Sequence, residues 1–417
     1  MDKLTKLADD AWHGRISQPE VNRALEGTEI GLLPDDNTIY LASRFIVGNV
    51  SIYRTCEGLV MIDTGSPESA EAILAAIREW DDSPIHTVVY THGHVDHVSG
   101  APGLDKEAKD AGRPKPHIIG HANLPPRFDR YKRSNGWNTA INKRQFRRGD
   151  LTKGWPKEFR YPDETYQNTL SIEVGGETFE IRHGKGETDD HTWFWAPDRK
   201  TITSGDFIIW AAPNSGNPQK FQRYTREWAV TLRAMAAKNP EILIPGHGLA
   251  IIGAERIQTM LDDIATFLES IHDQTLALMN EGKSLDEVVQ GVDVPQDLLK
   301  KPYLHPTYDD PEFLIRNIWR FYGGWYDGNP AHLKPASESS LSNEVVNLAG
   351  GVDAIAERIE TLINSDELRL ASHLAQWAFT AAPDNQRVVD LRSELFKRRA
   401  KEETTLMAKG IFGEAGD

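Results

Sequence analysis

The first part of the chain alternates short apolar, β-branched runs with helical stretches. Residues 85–90 (Ile-His-Thr-Val-Val-Tyr), 201–203 (Thr-Ile-Thr) and 242–244 (Ile-Leu-Ile) are such runs, and polar residues with a glycine follow each of them. A short apolar run that ends at a glycine-containing turn predicts a buried strand leading into a loop. We therefore predict an α/β region over residues 1–265, with polar side chains at several strand ends.

The pattern changes from about residue 266. Residues 271–279 have apolar positions at helical spacing, and residues 352–362 and 368–381 form two amphipathic patterns separated by a polar turn. Another helical pattern begins after Pro383. We predict an all-α region over residues 266–417. Its paired helices are similar to tetratricopeptide packing, and a generic helical bundle is the alternative.

The motif that follows the run at 85–90 concentrates metal-binding chemistry. It places four metal-capable side chains within six residues: His92, His94, Asp96 and His97. Two imidazoles that are two residues apart can reach one cation together, and the adjacent carboxylate and imidazole can reach a second. An apolar core would penalise so many polar groups, so the motif predicts a metal site on a loop.

The pattern His-x-His-x-Asp-His resembles the signature of the metallo-β-lactamase superfamily. The resemblance implies an αββα sandwich for residues 1–265 and further ligands downstream. His191 matches the third imidazole, Asp206 matches the carboxylate that bridges two metals, and His247 matches the last ligand. Asp63, in Val-Met-Ile-Asp-Thr-Gly, matches a residue that orients a ligand or loop rather than binding metal.

The resemblance divides the expected ligands between two divalent cations that share Asp206. Imidazole and carboxylate ligands favour zinc, with iron or manganese as alternatives. The two expected sets are His92, His94 and His191 for one cation, and Asp96, His97 and His247 for the other.

A segment rich in Gly, Asn, Pro and aromatic residues, 322–335, adds a second resemblance. It predicts a loop that packs on other structure. The segment looks like the signature of the alkylsulfatase branch of the superfamily, where it stands at the start of a helical dimerisation domain. Three features depart from that branch. It has Glu at the positions matching His191 and Asp206, and its full-length members carry a lipid-binding C-terminal domain that we do not expect here. Many of its members also have a secretion signal, which we do not expect here either.

Several residues are candidates for substrate contact. Arg223 resembles a sulfate-contacting arginine of alkylsulfatases, and a guanidinium suits tetrahedral oxyanions, although a structural ion pair is the alternative. Tyr224 is a candidate proton donor, and we expect Asp96 and Asp206 to serve catalysis as well as metal binding. The remaining candidates for substrate contact are Asn214, Asn217 and His121, of which His121 has a structural role as its alternative. The basic segment 127–148 is either a lid for an anionic substrate or a solvated helix.

Composition and charge limit the function further. The 417-residue chain has a net charge of −15, which disfavours nucleic acid as a partner. It contains one cysteine, so no intrachain disulfide can form. From the sequence we expect no secretion signal, no membrane-spanning segment and a cytoplasmic location, with a processed precursor as the alternative. By resemblance we expect a homodimer that acts on a small anionic substrate.

The expected activity is metal-dependent hydrolysis of sulfate esters through a metal-activated water. Hydrolysis of carboxylic esters, thioesters or lactones at the same metal site is the main alternative. A β-lactam substrate, a di-iron redox site and a scaffold without activity fit the residues less well, since the ligand set is complete and of mixed His and Asp type.

Overall fold

The structure is a computed structural model that describes residues 3–25, 27–43, 48–147 and 154–417. The chain divides into two compact units. The first comprises residues 1–135, 156–282 and 288–322. The second comprises residues 136–155, 283–287 and 323–417.

The first unit contains two β-sheets. The first sheet runs in the order β1 to β7: β1 (Glu29–Leu32), β2 (Thr38–Ala42), β3 (Val50–Thr55), β4 (Gly58–Ile62), β5 (Ile85–Val89), β6 (His117–His121) and β7 (Glu164–Tyr166). The second runs in the order β13 to β8, with bounds β8 (Thr169–Val174), β9 (Glu177–His183), β10 (Thr192–Ala196), β11 (Thr201–Gly205), β12 (Ile242–Pro245) and β13 (Ile251–Ile252). β4, β5, β6 and β7 pair in parallel, and so do β11 and β12.

The helices are introduced here in chain order. Up to residue 280 they are α1 (Lys3–Trp12), α2 (Gln18–Ala24), α3 (Ala70–Trp80), α4 (Val95–Val98), α5 (Ala101–Asp110), α6 (Leu124–Arg133), α7 (Asn135–Phe146), α8 (Thr225–Ala236) and α9 (Ala254–Asn280). Beyond it they are α10 (Leu285–Gly291), α11 (Gln296–Leu299), α12 (Pro311–Gly323), α13 (Pro330–Leu333), α14 (Glu338–Leu348), α15 (Val352–Asn364), α16 (Leu368–Ala381), α17 (Gln386–Glu402) and α18 (Leu406–Gly416).

Aromatic side chains fill the space between the two sheets. The ring of Tyr53 on β3 contacts Phe194 on β10 and Phe179 on β9, with centroids 5.1 and 5.8 Å apart. The Tyr53 hydroxyl lies 2.7 Å from Oγ1 of Thr203 on β11, so one hydrogen bond also joins the sheets. Because strands alternate their side chains between faces, the other face of each sheet must be covered as well.

Helices cover those outer faces. Ile73 and Ile77 of α3 and Leu104 of α5 pack in the cluster of the first sheet's other face. Trp228 of α8 and Leu268 of α9 are fully buried in the cluster that includes the second sheet. The expected αββα sandwich is confirmed.

The second unit is built from helices. Its apolar cluster takes buried side chains from α14, α15, α16 and α17, among them Val346, Ile359, Ala375 and Leu395. The two helices predicted over residues 352–362 and 368–381 are confirmed as α15 and α16. The prediction that the aromatic segment 322–335 is packed is wrong for this chain by itself, because Trp325 is 70% exposed.

α9 is the longest described helix and continues through residue 265, where the sequence predicts a domain boundary. The division of the chain into domains at that residue stays a prediction. Among the described helices, none combines the length and the apolar character that crossing a membrane requires.

Removing an aromatic ring between the sheets should cost much of the stability. We expect Phe194→Ala to lower the free energy of unfolding by about 3–5 kcal/mol, because the cavity cannot close between two stacked sheets. Leu32→Ala is the matched control, since Leu32 is 50% exposed and its truncation should cost no more than about 0.5 kcal/mol. Urea unfolding of the metal-free proteins measures both, and equal losses would contradict the assigned core.

Candidate metal centre

The predicted ligand loops all follow strands of the first unit. β5 ends at Val89, three residues before His92, and the short helix α4 carries Asp96 and His97. Asp206 comes directly after β11, and His247 follows β12. The sandwich brings these strand ends together, which places the side chains on rigid supports.

One group of donor atoms comprises His92, His94, Glu187 and Asp206, all within 4.8 Å of one another. Nε2 of His92 lies 2.9 Å from Nδ1 of His94 and 3.6 Å from Oδ2 of Asp206. Nδ1 of His94 lies 3.7 Å from Oε1 of Glu187. Three of the four side chains are buried, so their polar atoms face one another rather than water.

The second group comprises Asp96, His97 and His247. Oδ2 of Asp96 lies 3.5 Å from Nε2 of His97 and 3.4 Å from Nε2 of His247. Oδ1 of Asp206 lies 3.2 Å from the same nitrogen of His97 and 3.4 Å from that of His247. Asp206 therefore directs one carboxylate oxygen towards each group.

These residues fit divalent cations. Among the described residues, Oδ1 of Asp206 and Nε2 of His97 are buried without a hydrogen-bond partner, which is costly unless another group satisfies them. Burial holds the pKa of His92 and of His94 well below the usual value, so both rings are neutral, as metal ligands must be. Neutral imidazoles and carboxylates that converge in this way suit a divalent metal.

The charges around the second group also favour a divalent cation. Burial by itself lowers the pKa of His97, but the carboxylates of Asp206, Asp96 and Asp63 raise it well above its usual value. Burial by itself lowers the pKa of His247, but the carboxylates of Asp206 and Asp96 raise it to about 10. In the metal-free protein, protonated imidazoles therefore balance the buried carboxylates, and a cation would replace those protons.

Asp63 supports the second group from behind. Its Oδ2 accepts a hydrogen bond from Nδ1 of His97 at 2.7 Å, which directs Nε2 of that ring towards Asp206. Oδ1 accepts from the backbone N–H of Thr91 at 2.7 Å, at the start of the ligand loop. Asp63 adopts φ of 62°, a left-handed conformation that costs energy for a residue other than glycine. Its position agrees with the orienting role that the resemblance implies.

His191 lies next to the two groups but belongs to neither. Its Nε2 accepts a hydrogen bond from the backbone N–H of Asp206 at 3.1 Å, and its ring stacks on Phe207 at 4.1 Å. Glu187, four residues earlier on the same loop, reaches His94 instead. The sequence reasoning missed Glu187, because the resemblance places the third ligand at position 191.

The candidate substrate residues divide between two environments. Arg223 is buried, and its Nη1 donates to the backbone oxygen of Glu187 and forms an ion pair with the Glu187 carboxylate, both at 2.7 Å. The side-chain amide of Asn214 donates to the same carboxylate. The structure thus joins both residues to Glu187, which favours the structural reading of Arg223.

The other three candidates lie elsewhere in the first unit. The backbone N–H of Asn217 donates to Asp309. Tyr224 is half-buried, and its ring packs edge-on against Phe321 at 6.1 Å. His121 stacks on His183 at 3.8 Å and donates from Nε2 to the backbone oxygen of Gln167, so its ring nitrogens serve structural bonds.

Two residues beside the carboxylates were missed by the sequence reasoning. Burial and the nearby Arg223 lower the pKa of Lys220 to about 7, against the attraction of Glu187 and Asp96. Burial, with Glu187 and Asp96, raises the pKa of Tyr308 well above its usual value. Neither residue belongs to a short motif, because they approach the site from segments nearly ninety residues apart.

Asp309 ties those two segments together. Its carboxylate accepts hydrogen bonds from the backbone N–H groups of Gly216 at 2.5 Å and Asn217 at 3.2 Å. It also accepts from the N–H of Asp310 at 2.9 Å. The loop that leads to Lys220 is therefore fixed to the segment that carries Tyr308.

The basic segment 127–148 is not a free lid over its described length. Arg127 is buried in ion pairs with Asp189 and Asp190. In the second unit, Arg144 pairs with Glu414, and Arg147 pairs with Asp417. Arg148, the last of the predicted cations, lies outside the described residues.

Two family models match this chain. Residues 44–247 match the metallo-beta-lactamase superfamily, and residues 284–416 match the alkyl sulfatase dimerisation domain. The chain therefore combines a region that matches the metallo-β-lactamase superfamily with a region that matches the alkyl sulfatase dimerisation domain.

Two similar proteins are named as alkylsulfatases. A linear primary-alkylsulfatase from Pseudomonas sp. is 25% identical over 362 residues, covering 82% of this chain and 68% of the relative. An (R)-specific secondary-alkylsulfatase from Pseudomonas sp. is 28% identical over 380 residues, covering 84% of this chain and 56% of the relative. The chain therefore spans between 56% and 68% of the length of these two relatives.

One solved structure supports the fold over nearly the whole chain. The stereoselective inverting sec-alkylsulfatase Pisa1 from Pseudomonas sp. superposes with a TM-score of 0.83 at 22% identity. The match covers 96% of this chain and 67% of that one. At this identity the similarity establishes the fold.

The raised pKa of His247 predicts how stability depends on pH without metal. The folded state binds the proton of His247 more tightly than the unfolded state does, and this stabilises the folded state. The stabilisation is fully present below pH 6.5 and is lost as pH rises through about 10. Between those values we expect the unfolding free energy to fall by about 1.4 kcal/mol per pH unit for each such proton. His247→Gln should show a slope shallower by that amount. Urea unfolding in chelator between pH 7 and 9 measures both proteins, and identical slopes would contradict the assignment.

Proposed function

We propose that this protein is a hydrolase of sulfate esters that uses two divalent cations. The observation that carries the proposal is the pair of donor groups that share Asp206. The relatives named as alkylsulfatases and the match to the alkyl sulfatase dimerisation domain support the substrate class.

The proposed ligands differ from the sequence prediction at one position. We assign His92, His94 and Glu187 to one cation and Asp96, His97 and His247 to the other, with Asp206 between them. His191 is assigned a supporting role, because its Nε2 is engaged by the Asp206 backbone. Zinc suits these ligands, with iron or manganese as alternatives. Divalent ions bound there supply a water nucleophile at neutral pH and polarise the substrate oxygen.

Lys220 is the residue we propose for the anionic group of the substrate. Its charge is felt by residues of both donor groups, because Glu187 and Asp96 affect the pKa of Lys220, and Lys220 affects the pKa of His94. Arg223, the sequence candidate, is held by Glu187 and acts as a positioning residue for that carboxylate. An incoming sulfate would favour the charged form of Lys220 and offset the effect of burial.

Tyr308 is the proposed hydrogen-bond donor at the site, in place of Tyr224. Its raised pKa keeps the phenol protonated at every physiological pH, so its hydroxyl can donate to a substrate oxygen or to the leaving alcohol. Asp309 holds the adjacent backbone in place through its contacts to Gly216 and Asn217. Tyr224 is less suitable, since its ring packs against Phe321.

Hydrolysis of carboxylic esters, thioesters or lactones is the second candidate. The donor groups serve that chemistry equally, because a carbonyl oxygen can be polarised in the same way as a sulfate oxygen. The two candidates differ in the need for a cation beside the metals. An ammonium such as Lys220 favours a substrate that carries negative charge away from the bond that breaks.

We also propose that residues 284–416 form a homodimer. The proposal is supported by the match to the dimerisation model and by apolar side chains that this region exposes in the single chain. Trp325, Leu333 and Leu348 are 70%, 53% and 79% exposed. Side chains of this size are normally covered in a soluble protein when several of them lie in one region.

A substrate panel with metal-quantified protein tests the activity. We expect release of sulfate from alkyl sulfates and little turnover of carboxylic esters, lactones or a β-lactam. Asp206→Ala and Glu187→Gln should each lower the rate at least about a hundredfold. Loss of a residue that only holds a metal ligand in place typically costs about 10–100-fold, and loss of a ligand should cost more. In heavy-oxygen water, label in the alcohol indicates attack at carbon, and label in the sulfate indicates attack at sulfur.

The matched control is His191→Gln, in which the side-chain amide oxygen can replace Nε2 as acceptor of the Asp206 N–H. Its metal content should stay at the wild-type level. If His191→Gln loses a metal and Glu187→Gln does not, the ligand assignment is reversed. If metal is bound and only an ester or lactone is turned over, the substrate class is wrong.

Lys220→Met tests the proposed anion contact. We expect kcat/KM for an alkyl sulfate to fall about 10- to 150-fold, which corresponds to about 1.5–3 kcal/mol for a hydrogen bond to a charged group. A neutral ester should show little change. Lys185→Met is the control, because Lys185 is an exposed cation that lies over the Tyr224 ring at 5.3 Å. Equal effects of the two variants would argue for general electrostatic attraction only.

A further inference from the structure

The loop between His92 and His94 is held by a carboxylate that none of the proposed roles uses. Oδ2 of Asp190 accepts a hydrogen bond from the backbone N–H of Gly93 at 2.9 Å. Asp190 is fully buried, and it stands on the loop that also carries Glu187. One contact therefore connects the two loops that supply His92, His94 and Glu187.

Asp190 is in turn fixed by a buried arginine. Nε of Arg127, on α6, lies 2.9 Å from Oδ1 of Asp190, and the guanidinium also pairs with Asp189. Arg127 is 3% exposed. Separating the members of such a pair would leave an unpaired charge in the interior, which is costly. The pair should therefore keep Asp190 in a fixed position.

Gly93 is the point where this pair touches the metal loop. A Cβ atom built at Gly93 would lie 2.5 Å from Cδ of Arg127 and 3.1 Å from Oδ2 of Asp190. Contacts this short require one of the side chains to move. Glycine at this position therefore allows the ion pair to pack directly against the peptide between the two histidines.

The second donor group has a different support. Asp63 bonds to His97 and to the Thr91 N–H, and Asp190 has no described bond to Asp96, His97 or His247. Thr91 Oγ1 lies 3.0 Å from Nδ1 of His92, so the described contact between Asp63 and the first group runs through Thr91. Asp190 contacts the first group's loop directly.

We propose that Asp190, locked by Arg127, is a positioning residue that selectively sets the metal affinity of the His92, His94 and Glu187 half of the site. The inference rests on the proposed function, because it requires that divalent metal binds there. It adds that the two halves are supported by separate carboxylates and can be weakened separately. Arg127, which the sequence assigned to a basic segment, acts through Asp190 and does not contact substrate.

The test measures metal affinity, without turnover, in proteins that retain only one half of the site. His247→Ala removes the second group, and His94→Ala weakens the first. Competition with a chromophoric chelator for Zn²⁺ gives the dissociation constant in each background. We expect Asp190→Asn to weaken binding about 10–100-fold in the His247→Ala background, as for other outer partners of ligands. In the His94→Ala background it should change the constant less than about threefold.

Asp189→Asn is the matched control, because Asp189 also pairs with Arg127 but is partly exposed and has no described bond to Gly93. It should leave both constants near their starting values. Arg127→Lys should weaken the first half less than Arg127→Met, since the charge beside Asp190 is kept. Melting of each metal-free protein shows whether the fold is intact. If Asp190→Asn does not fold, Gly93→Ala replaces it and should give the same selective loss.

The outcomes separate this inference from the proposed function. If the wild-type chain binds no divalent metal, the proposed function fails and the inference fails with it. If it binds metal at both halves and Asp190→Asn weakens neither half, or weakens both equally, only the positioning role is overturned.

Discussion

The structure depends on the burial of the Asp206 carboxylate between two clusters of histidine and acid side chains. A buried carboxylate costs several kcal/mol unless opposite charge compensates it. His97 and His247 hold the pKa of Asp206 well below its usual value despite burial, and a divalent cation would serve the same purpose more strongly. The sandwich, the ligand loops and their supports all serve to keep these groups close enough to compensate one another.

The support is arranged around the site in separate contacts. Asp63 holds His97, Asp190 holds the peptide at Gly93, and Arg223 holds Glu187. Asp309 holds the backbone that leads to Lys220 through hydrogen bonds from Gly216 and Asn217. Each support uses a charged group fixed by hydrogen bonds, which limits the rotamers of the groups that it touches. A site built in this way can be altered in one part while another part keeps its geometry.

Local charge, not the total charge, decides which ligand such a site attracts. The chain carries a net charge of −15, yet Lys220 and Arg223 lie beside the carboxylates. Arg223 forms an ion pair with Glu187, while burial and Arg223 lower the pKa of Lys220 to about 7. An anion that binds next to Lys220 would favour its charged form. The exposed apolar side chains of the region 284–416 are a separate feature that concerns association between chains.

The sequence by itself determined the features whose physical cause is short-range. Four donor side chains within residues 92–97 predict a metal site, the β-branched run before them forms a buried strand, and the helical spacing of residues 352–381 gives α15 and α16. The tertiary structure alone decided which of Glu187 and His191 faces the donors, because residues four apart on one loop can point in different directions. It also decided that Arg127 is a buried support and that Lys220 and Tyr308 approach the carboxylates. Those outcomes depend on contacts between distant segments, and spacing along the chain carries no information about them.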